Sequence, residues 1–169
     1  MTCIFVRAAT VSLFAFMALP AGPASAQVDK NLVGAWNIVS ISVEQGDKKV
    51  EPYGSNPKGT QVFDANGRFA VVVTRGDLPK VASDNRTTAT PEESQQIVHG
   101  SIAYFGSYTT EADKTMVLQI EGTTFPNWVG VTQKRTYVIS GDEMTLTNPT
   151  ASGGGAAKVV LKRAGQKSM

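Results

Sequence analysis

Apolar and polar residues alternate along much of the chain, in short segments separated by Gly, Pro, Asn and Asp. Phe69, Val71 and Val73 fall on one face of such a segment, and Met116 and Leu118 do so in another. Because side chains of a β-strand point alternately to opposite faces, this pattern predicts strands that bury one face. The pattern predicts eight strands, at residues 34–43, 59–64, 68–74, 101–110, 115–121, 134–139, 143–147 and 158–163.

One mid-chain segment departs from the β pattern. The sequence Thr-Pro-Glu-Glu at residues 90–93 combines an N-cap threonine, a proline at the first helical position and a glutamate at the third. It predicts a short helix over residues 91–98, ended by Gly100. The remaining eight strands fit either a β-sandwich or a closed up-and-down barrel, because both remove or shorten exposed sheet edges.

The N-terminus has the features of a secretory signal peptide. Arg7 precedes an apolar run at residues 8–19, and Ala-Ser-Ala at residues 24–26 has the small-x-small pattern of a cleavage site. The run is shorter than the ~20 residues that span a bilayer. We therefore expect a signal peptide at residues 1–26, a single domain at 27–169 with its core at 32–163, and a periplasmic or secreted protein without membrane insertion.

Composition narrows the possible partners of the mature chain. Cys3 is the only cysteine, so cleavage would leave no disulfide and no thiol nucleophile. The whole chain has 16 Lys and Arg residues, and removal of Arg7 with the signal peptide leaves 15 basic against 14 acidic residues. The basic residues do not form a cluster along the sequence. We therefore expect no binding to nucleic acid. One histidine and no cysteine make a metal site unfavourable, and we expect no cofactor. Nothing in the sequence specifies an oligomeric state.

Two groups of motifs carry a resemblance to known barrels. Gly34 and Trp36 resemble the Gly-x-Trp signature of lipocalins, in which the tryptophan closes one barrel end beneath a basic side chain of the last strand. Arg163 takes that place here. A longer series of motifs resembles the lipocalin-like domain family of mostly uncharacterised bacterial and fungal proteins. The motifs are PYG (52–54), NPKG (56–59), FDANGRF (63–69), TPEE (90–93), IAYFG (102–106) and FPNW (125–128).

This resemblance extends from about residue 32 to residue 163. It implies an all-β fold, an eight-stranded antiparallel lipocalin-like β-barrel with one short mid-chain helix. Lipocalins broadly bind small apolar molecules, while a few lipocalin-like barrels such as allene oxide cyclases are enzymes. Fold alone does not choose between these functions. We rank a small-molecule binding protein first, an interaction protein with a filled barrel second, and a cofactor-free isomerase, cyclase or hydrolase third.

Aromatic and basic residues on the predicted strands suggest a ligand pocket. Tyr104 and Tyr108 share one strand face, and Arg135 and Tyr137 share another. If these faces point inward, they offer phenol and guanidinium donors to a carboxylate or carbonyl. The alternative is a core whose tyrosine hydroxyls reach solvent at its ends. The full predicted set is Phe69, Tyr104, Tyr108, Met116, Leu118, Trp128, Arg135 and Tyr137.

Two residues are candidates for catalysis. His99 is the only histidine and lies at the predicted helix end, where capping of the last carbonyls is the alternative role. Glu121 ends a strand whose mixed face, with Val117 and Gln119, is a candidate lining of a polar pocket. The apolar stretch EGTTFPNWVG at residues 121–130 follows, and it is either a structural plug or a lid that forms the mouth of a pocket.

Overall fold

The computed structural model describes residues 27–165, so the predicted signal peptide lies outside the described residues. This part of the chain contains nine β-strands and one α-helix, α1 (Pro91–Gly100), and none of its helices is long and apolar enough to cross a membrane. The strands are β1 (Gly34–Gln45), β2 (Lys48–Val50), β3 (Lys58–Phe63), β4 (Arg68–Thr74), β5 (Ser101–Thr110), β6 (Thr115–Thr123), β7 (Thr132–Ser140), β8 (Glu143–Asn148) and β9 (Ala156–Arg163).

Eight of these strands close into an antiparallel barrel. From β3 to β9 each strand pairs with its successor, and β1 pairs with both β3 and β9. The predicted eight-stranded barrel is therefore confirmed. The short β2 was not predicted, since it offers only Val50 as an apolar residue. It pairs with the last residues of β1 across a tight turn in which Gly46 has a φ of 59°.

Alternation of side chains along each strand separates the core from the outer surface. In β4, Phe69, Val71 and Val73 are at most 4% exposed, whereas Val72 between them is 48% exposed. Burial of these inward-facing side chains supplies the main driving force for folding. The same periodicity in β6 buries Met116 and Leu118. The predicted strand faces are thus the faces that form the core.

The long connection from β4 to β5 carries α1 and lies at one end of the barrel, the open end. The helix begins as predicted, because the Thr90 hydroxyl accepts from the Glu93 N–H at 3.2 Å and the Glu93 carboxylate accepts from the Thr90 N–H at 2.8 Å. The same carboxylate accepts from the Ala82 N–H at 2.8 Å, which ties the preceding loop to the helix. The helix includes Gly100, two residues beyond its predicted end.

The opposite end, the closed end, is sealed by the residues that precede β1. Trp36 is fully buried and donates its indole N–H to the Leu32 carbonyl at 2.8 Å. The Arg163 guanidinium carbon lies 4.2 Å from the centre of the Trp36 ring. The Arg163 guanidinium also donates to the carbonyls of Asn31 and Val33 at 2.9 and 3.2 Å. The contact between Trp36 and Arg163 expected from the Gly-x-Trp resemblance is present.

Gly34 lies beside this contact and has a φ of 128°, a conformation that favours glycine. A Cβ atom at this position would lie 3.3 Å from an Arg163 guanidinium nitrogen. The glycine of the motif therefore provides both the backbone conformation and the space that the guanidinium occupies.

A second contact fastens the N-terminal segment to the closed end. The Asp29 carboxylate accepts from the Lys114 ammonium at 2.8 Å and from the Tyr137 hydroxyl at 2.9 Å. The hydrogen bond from Lys114 outweighs the effect of burial and lowers the pKa of Asp29 to about 2. The ionised carboxylate therefore stabilises the folded state.

We expect Arg163→Met to lower the free energy of unfolding by about 1–3 kcal/mol, because it leaves two capped carbonyls without donors and removes the stacked cation. Urea unfolding measures the change. Lys162→Met is the matched control, since Lys162 is the exposed neighbour on the same strand. Equal destabilisation by both substitutions would contradict the closing role of Arg163.

We expect Asp29→Asn to remove part of the acid sensitivity of the fold. The folded-state pKa of Asp29 lies below its ordinary value of 3.8, so its stabilisation is complete above about pH 4 and is lost as the pH falls to about 2. The lowered pKa of Asp29 corresponds to about 2 kcal/mol of folding stability at neutral pH. Urea unfolding of both proteins between pH 2 and 7 isolates this contribution. Parallel stability curves for Asp29→Asn and the parent would refute it.

Candidate functional site

A cavity of about 500 Å³ lies at the open end of the barrel. This volume falls within the range of small-molecule sites. Inward-facing aliphatic residues of the strands contribute to the apolar lining, namely Ile41, Val43, Val73, Ile102, Ala157 and Val159. These residues belong to four strands, so the cavity continues the barrel interior rather than lying on its outer surface. It is open to solvent between α1 and the neighbouring loops.

Arg135 and Tyr104 provide the main polar groups deep in this cavity. Arg135 projects inward from β7 and is only 3% exposed, and Tyr104 projects inward from β5. The Arg135 guanidinium donates to the Tyr104 hydroxyl at 2.6 Å and to the side-chain oxygen of Gln133 at 2.6 Å. Its central carbon also lies 5.1 Å from the centre of the Tyr104 ring. These contacts fix the orientation of the guanidinium.

The positive charge of Arg135 has no ionic partner in residues 27–165. None of the ion pairs in this part of the chain includes Arg135. Its Nε–H is buried and has no hydrogen-bond acceptor. Burial of an ionised group without an opposite charge is unfavourable, because the group loses its hydration. The barrel therefore maintains an unneutralised cation inside an apolar cavity.

An aromatic chain links the hydrophobic core to the mouth of the cavity. The Tyr104 ring makes edge-to-face contacts with Phe69, at 6.0 Å between ring centres, and with Trp128 at 5.5 Å. Trp128 in turn contacts Phe125 at 5.6 Å. Trp128 ends a 3₁₀ turn that begins at Pro126. Phe125 and Trp128 pack partly against the core and also line the cavity. Within the segment at residues 121–130, Thr124, Phe125 and Trp128 therefore form part of the wall of the mouth.

Tyr53 and Asn148 add to the polar lining, and neither was predicted as a site residue. Tyr53 comes from the loop between β2 and β3, in the PYG motif. Burial raises its pKa to about 12, so the phenol is neutral at physiological pH. Asn148 ends β8 and is 5% exposed. Alternation of apolar and polar residues could not identify either one, because Tyr53 lies in a loop and Asn148 is polar.

Gln133 was also missed, because the predicted strand began one residue after it. In the structure β7 begins at Thr132, and Gln133, Arg135 and Tyr137 all face inward. Extension of the predicted strand by one residue would have included Gln133. It was left out because a polar residue is not expected on an inward-facing position.

The structure places the predicted ligand-binding residues at three depths in the barrel. Tyr104, Trp128 and Arg135 line the cavity. Phe69, Met116 and Leu118 belong to the hydrophobic core and are not among the lining residues. Tyr108 and Tyr137 lie at the closed end, where their hydroxyls donate to the Asp64 carbonyl at 2.8 Å and to the Asp29 carboxylate at 2.9 Å.

The expectation that Tyr108 and Tyr137 line the same pocket as Tyr104 is therefore wrong. Tyr108 lies four residues beyond Tyr104 along β5, and Tyr137 lies two residues beyond Arg135 along β7. Both are therefore nearer the closed end than the residues that line the cavity. Burial raises the pKa of Tyr108 to about 12. Burial and the hydrogen bond to Asp29 also raise the pKa of Tyr137. Both hydroxyls are structural donors at the sealed end.

The two catalytic candidates have different surroundings. Glu121 lies on the outer face, where it accepts from Arg68 through both carboxylate oxygens, so the prediction that its face lines a pocket is wrong. The hydrogen bond from Arg68 lowers the pKa of Glu121. His99 lines the mouth of the cavity but is exposed. No ion pair between His99 and a carboxylate occurs in residues 27–165.

Metal-binding groups are not clustered in this part of the protein. Within residues 27–165, no three His, Cys, Asp or Glu side chains form an arrangement that could hold a metal ion. The residues that line the cavity offer hydrogen bonding, cationic attraction and apolar contact.

Comparison with known proteins gives one family match. The sequence model of the lipocalin-like domain matches residues 33–163. No curated protein matches the chain. A crystal structure of a mutant of the fluorescent protein UnaG is similar over 79% of this chain and 96% of that chain, with 12% identity and a TM-score of 0.36. The family match covers the whole barrel, from the residue before β1 to the end of β9, and the chain therefore belongs to the lipocalin-like domain family.

Proposed function

We propose that this protein is exported and that its barrel binds a small, mainly apolar molecule at the open end. The observation that carries the proposal is the cavity of about 500 Å³, which continues the barrel interior and is lined mainly by apolar side chains. Concave apolar sites with a few fixed polar groups are typical of small-molecule binding. Arg135, Tyr104 and Tyr53 are the polar groups that would orient the ligand.

The same cavity bears on the alternative functions. A protein that only presents a surface to a partner gains no advantage from a hollow interior, because an unfilled apolar cavity weakens the fold. Catalysis requires a general acid or base near the substrate. His99 at the exposed mouth is the candidate in the lining, since Glu121 lies on the outer face. Binding is thus the function with the strongest structural support.

We expect the protein purified from its own compartment to retain a small molecule. Native mass spectrometry should then give a mass larger than that of the same sample after denaturation. The polypeptide mass in the denatured spectrum tests export, since cleavage after Ala26 leaves a chain that begins at Gln27. A full-length chain in the cell extract would contradict export without affecting the binding proposal.

We expect Val159→Phe to weaken the binding of the neutral apolar dye N-phenyl-1-naphthylamine by about tenfold, because the added ring occupies the cavity. Fluorescence titration measures the dissociation constant, and thermal unfolding verifies the fold. Val138→Phe is the matched control, since Val138 is 68% exposed on the outer face of β7. Equal dye binding by the two variants would place the dye outside the cavity.

A further inference from the structure

We infer that the ligand carries an anionic carboxylate group, and that this group binds the guanidinium of Arg135. The inference rests on the proposed function, because it specifies the chemistry of a ligand in the same cavity. It specifies that the ligand is negatively charged and that Arg135 is the residue that binds the charged group. Three independent features of the cavity support it.

The first feature is the charge of the lining. Among residues 27–165, no Asp or Glu lines the cavity, whereas Arg135 does. Arginine keeps its charge at any physiological pH. His99 is the other basic side chain in the lining and lies at the exposed mouth. Low-dielectric walls concentrate the field of such a charge, so the cavity attracts an anion and repels a cation.

The second feature is the number of donors that Arg135 has left. A guanidinium carries five N–H donors, and two of them are used by Tyr104 and Gln133. The Nε–H is buried and has no acceptor in the part of the chain that the structure describes. The Tyr104 oxygen accepts from Arg135, so the proton of the Tyr104 hydroxyl can be donated to another acceptor. A carboxylate has two oxygens in one plane and matches a planar pair of donors.

The third feature is the contrast with other arginines of the chain. Arg68 and Arg75 each donate to a carboxylate, of Glu121 and Asp77 respectively, and remain 49% and 32% exposed. Arg163 is 34% exposed, lies 3.9 Å from the Asp142 carboxylate and donates to two backbone carbonyls. Arg135 is 3% exposed and has no carboxylate partner in residues 27–165. A cation that is buried without compensation has the features of a binding group rather than of a structural ion pair.

The test compares two probes that differ only in the head group, decanoate and 1-decanol, by isothermal titration calorimetry at pH 7. We expect the parent protein to bind decanoate at least about tenfold more tightly than 1-decanol, because only the carboxylate forms charge-assisted hydrogen bonds. We expect Arg135→Met to abolish this preference, because decanoate loses its charge-assisted hydrogen bonds. Arg68→Met, the same change on the outer face, should retain the preference.

Thermal unfolding without ligand separates a binding role from a structural one. Replacement of an uncompensated buried cation by an apolar side chain of similar length should leave the melting temperature unchanged or raise it. A structural arginine would give the opposite shift. If Arg135→Met does not fold, Tyr104→Phe provides the second variant. It keeps the aromatic contacts, removes one hydroxyl donor, and should weaken decanoate binding by about threefold or more.

Each outcome distinguishes this inference from the proposed function. Equal affinity of the parent for the two probes would overturn the carboxylate assignment and leave apolar binding intact. Binding of the neutral dye without binding of decanoate would do the same. Failure of decanoate, 1-decanol and the dye alike would overturn the proposed function together with the inference. A preference for decanoate that persists in Arg135→Met would place the anion site elsewhere.

Discussion

The architecture depends on one long strand, β1, which pairs with three other strands. β1 pairs with β9 from Trp36 to Glu44, and this pairing closes the sheet into a barrel. β1 pairs with β3 only from Gly34 to Asn37, after which β2 takes its place along the last residues of β1. β1 and β3 therefore pair only near the closed end, and they separate toward the open end. The loop between β2 and β3 enters there and brings Tyr53 into the cavity lining.

This geometry divides the barrel interior into two halves with different physical properties. In the closed half the side chains fill the space, and Trp36, Arg163 and Asp29 fasten the N-terminal segment over it. In the open half the apolar side chains leave a cavity. Tyr104 belongs to both halves, since its ring packs on Phe69 of the core while its hydroxyl accepts from Arg135. Filling of the closed half provides rigidity for the polar groups at the boundary.

The sequence predicted the faces of the strands more reliably than positions along them. Period-2 alternation placed Tyr104 and Tyr108 on one strand face and Arg135 and Tyr137 on another, and all four are buried in the structure. It carries no information on depth, and therefore it grouped residues of the two barrel ends into one site. Glu121 was misassigned for a related reason. Burial of Met116 and Leu118 requires their strand neighbours to face outward, and a single-layered barrel leaves that face in solvent.

Other parts of the site were beyond pattern analysis for physical reasons. The position of Tyr53 depends on where β3 leaves β1, which is a property of the sheet and not of the local sequence. Gln133 is polar at an inward position, and its role emerges only from its hydrogen bond to Arg135. The fold itself was predictable because hydrophobic periodicity limited it to a β-sandwich or a barrel, and the family motifs then favoured the barrel.

The placement of the tryptophans has a spectroscopic consequence. The chain contains two, and the structure puts Trp36 at the closed end and Trp128 in the wall of the mouth. The Trp36 indole is fully buried, whereas the Trp128 indole is partly accessible from the cavity. Intrinsic fluorescence therefore reports on the two barrel ends through two separate emitters. A quencher that enters the cavity meets Trp128 first, while emission from Trp36 changes only when the sealed end opens.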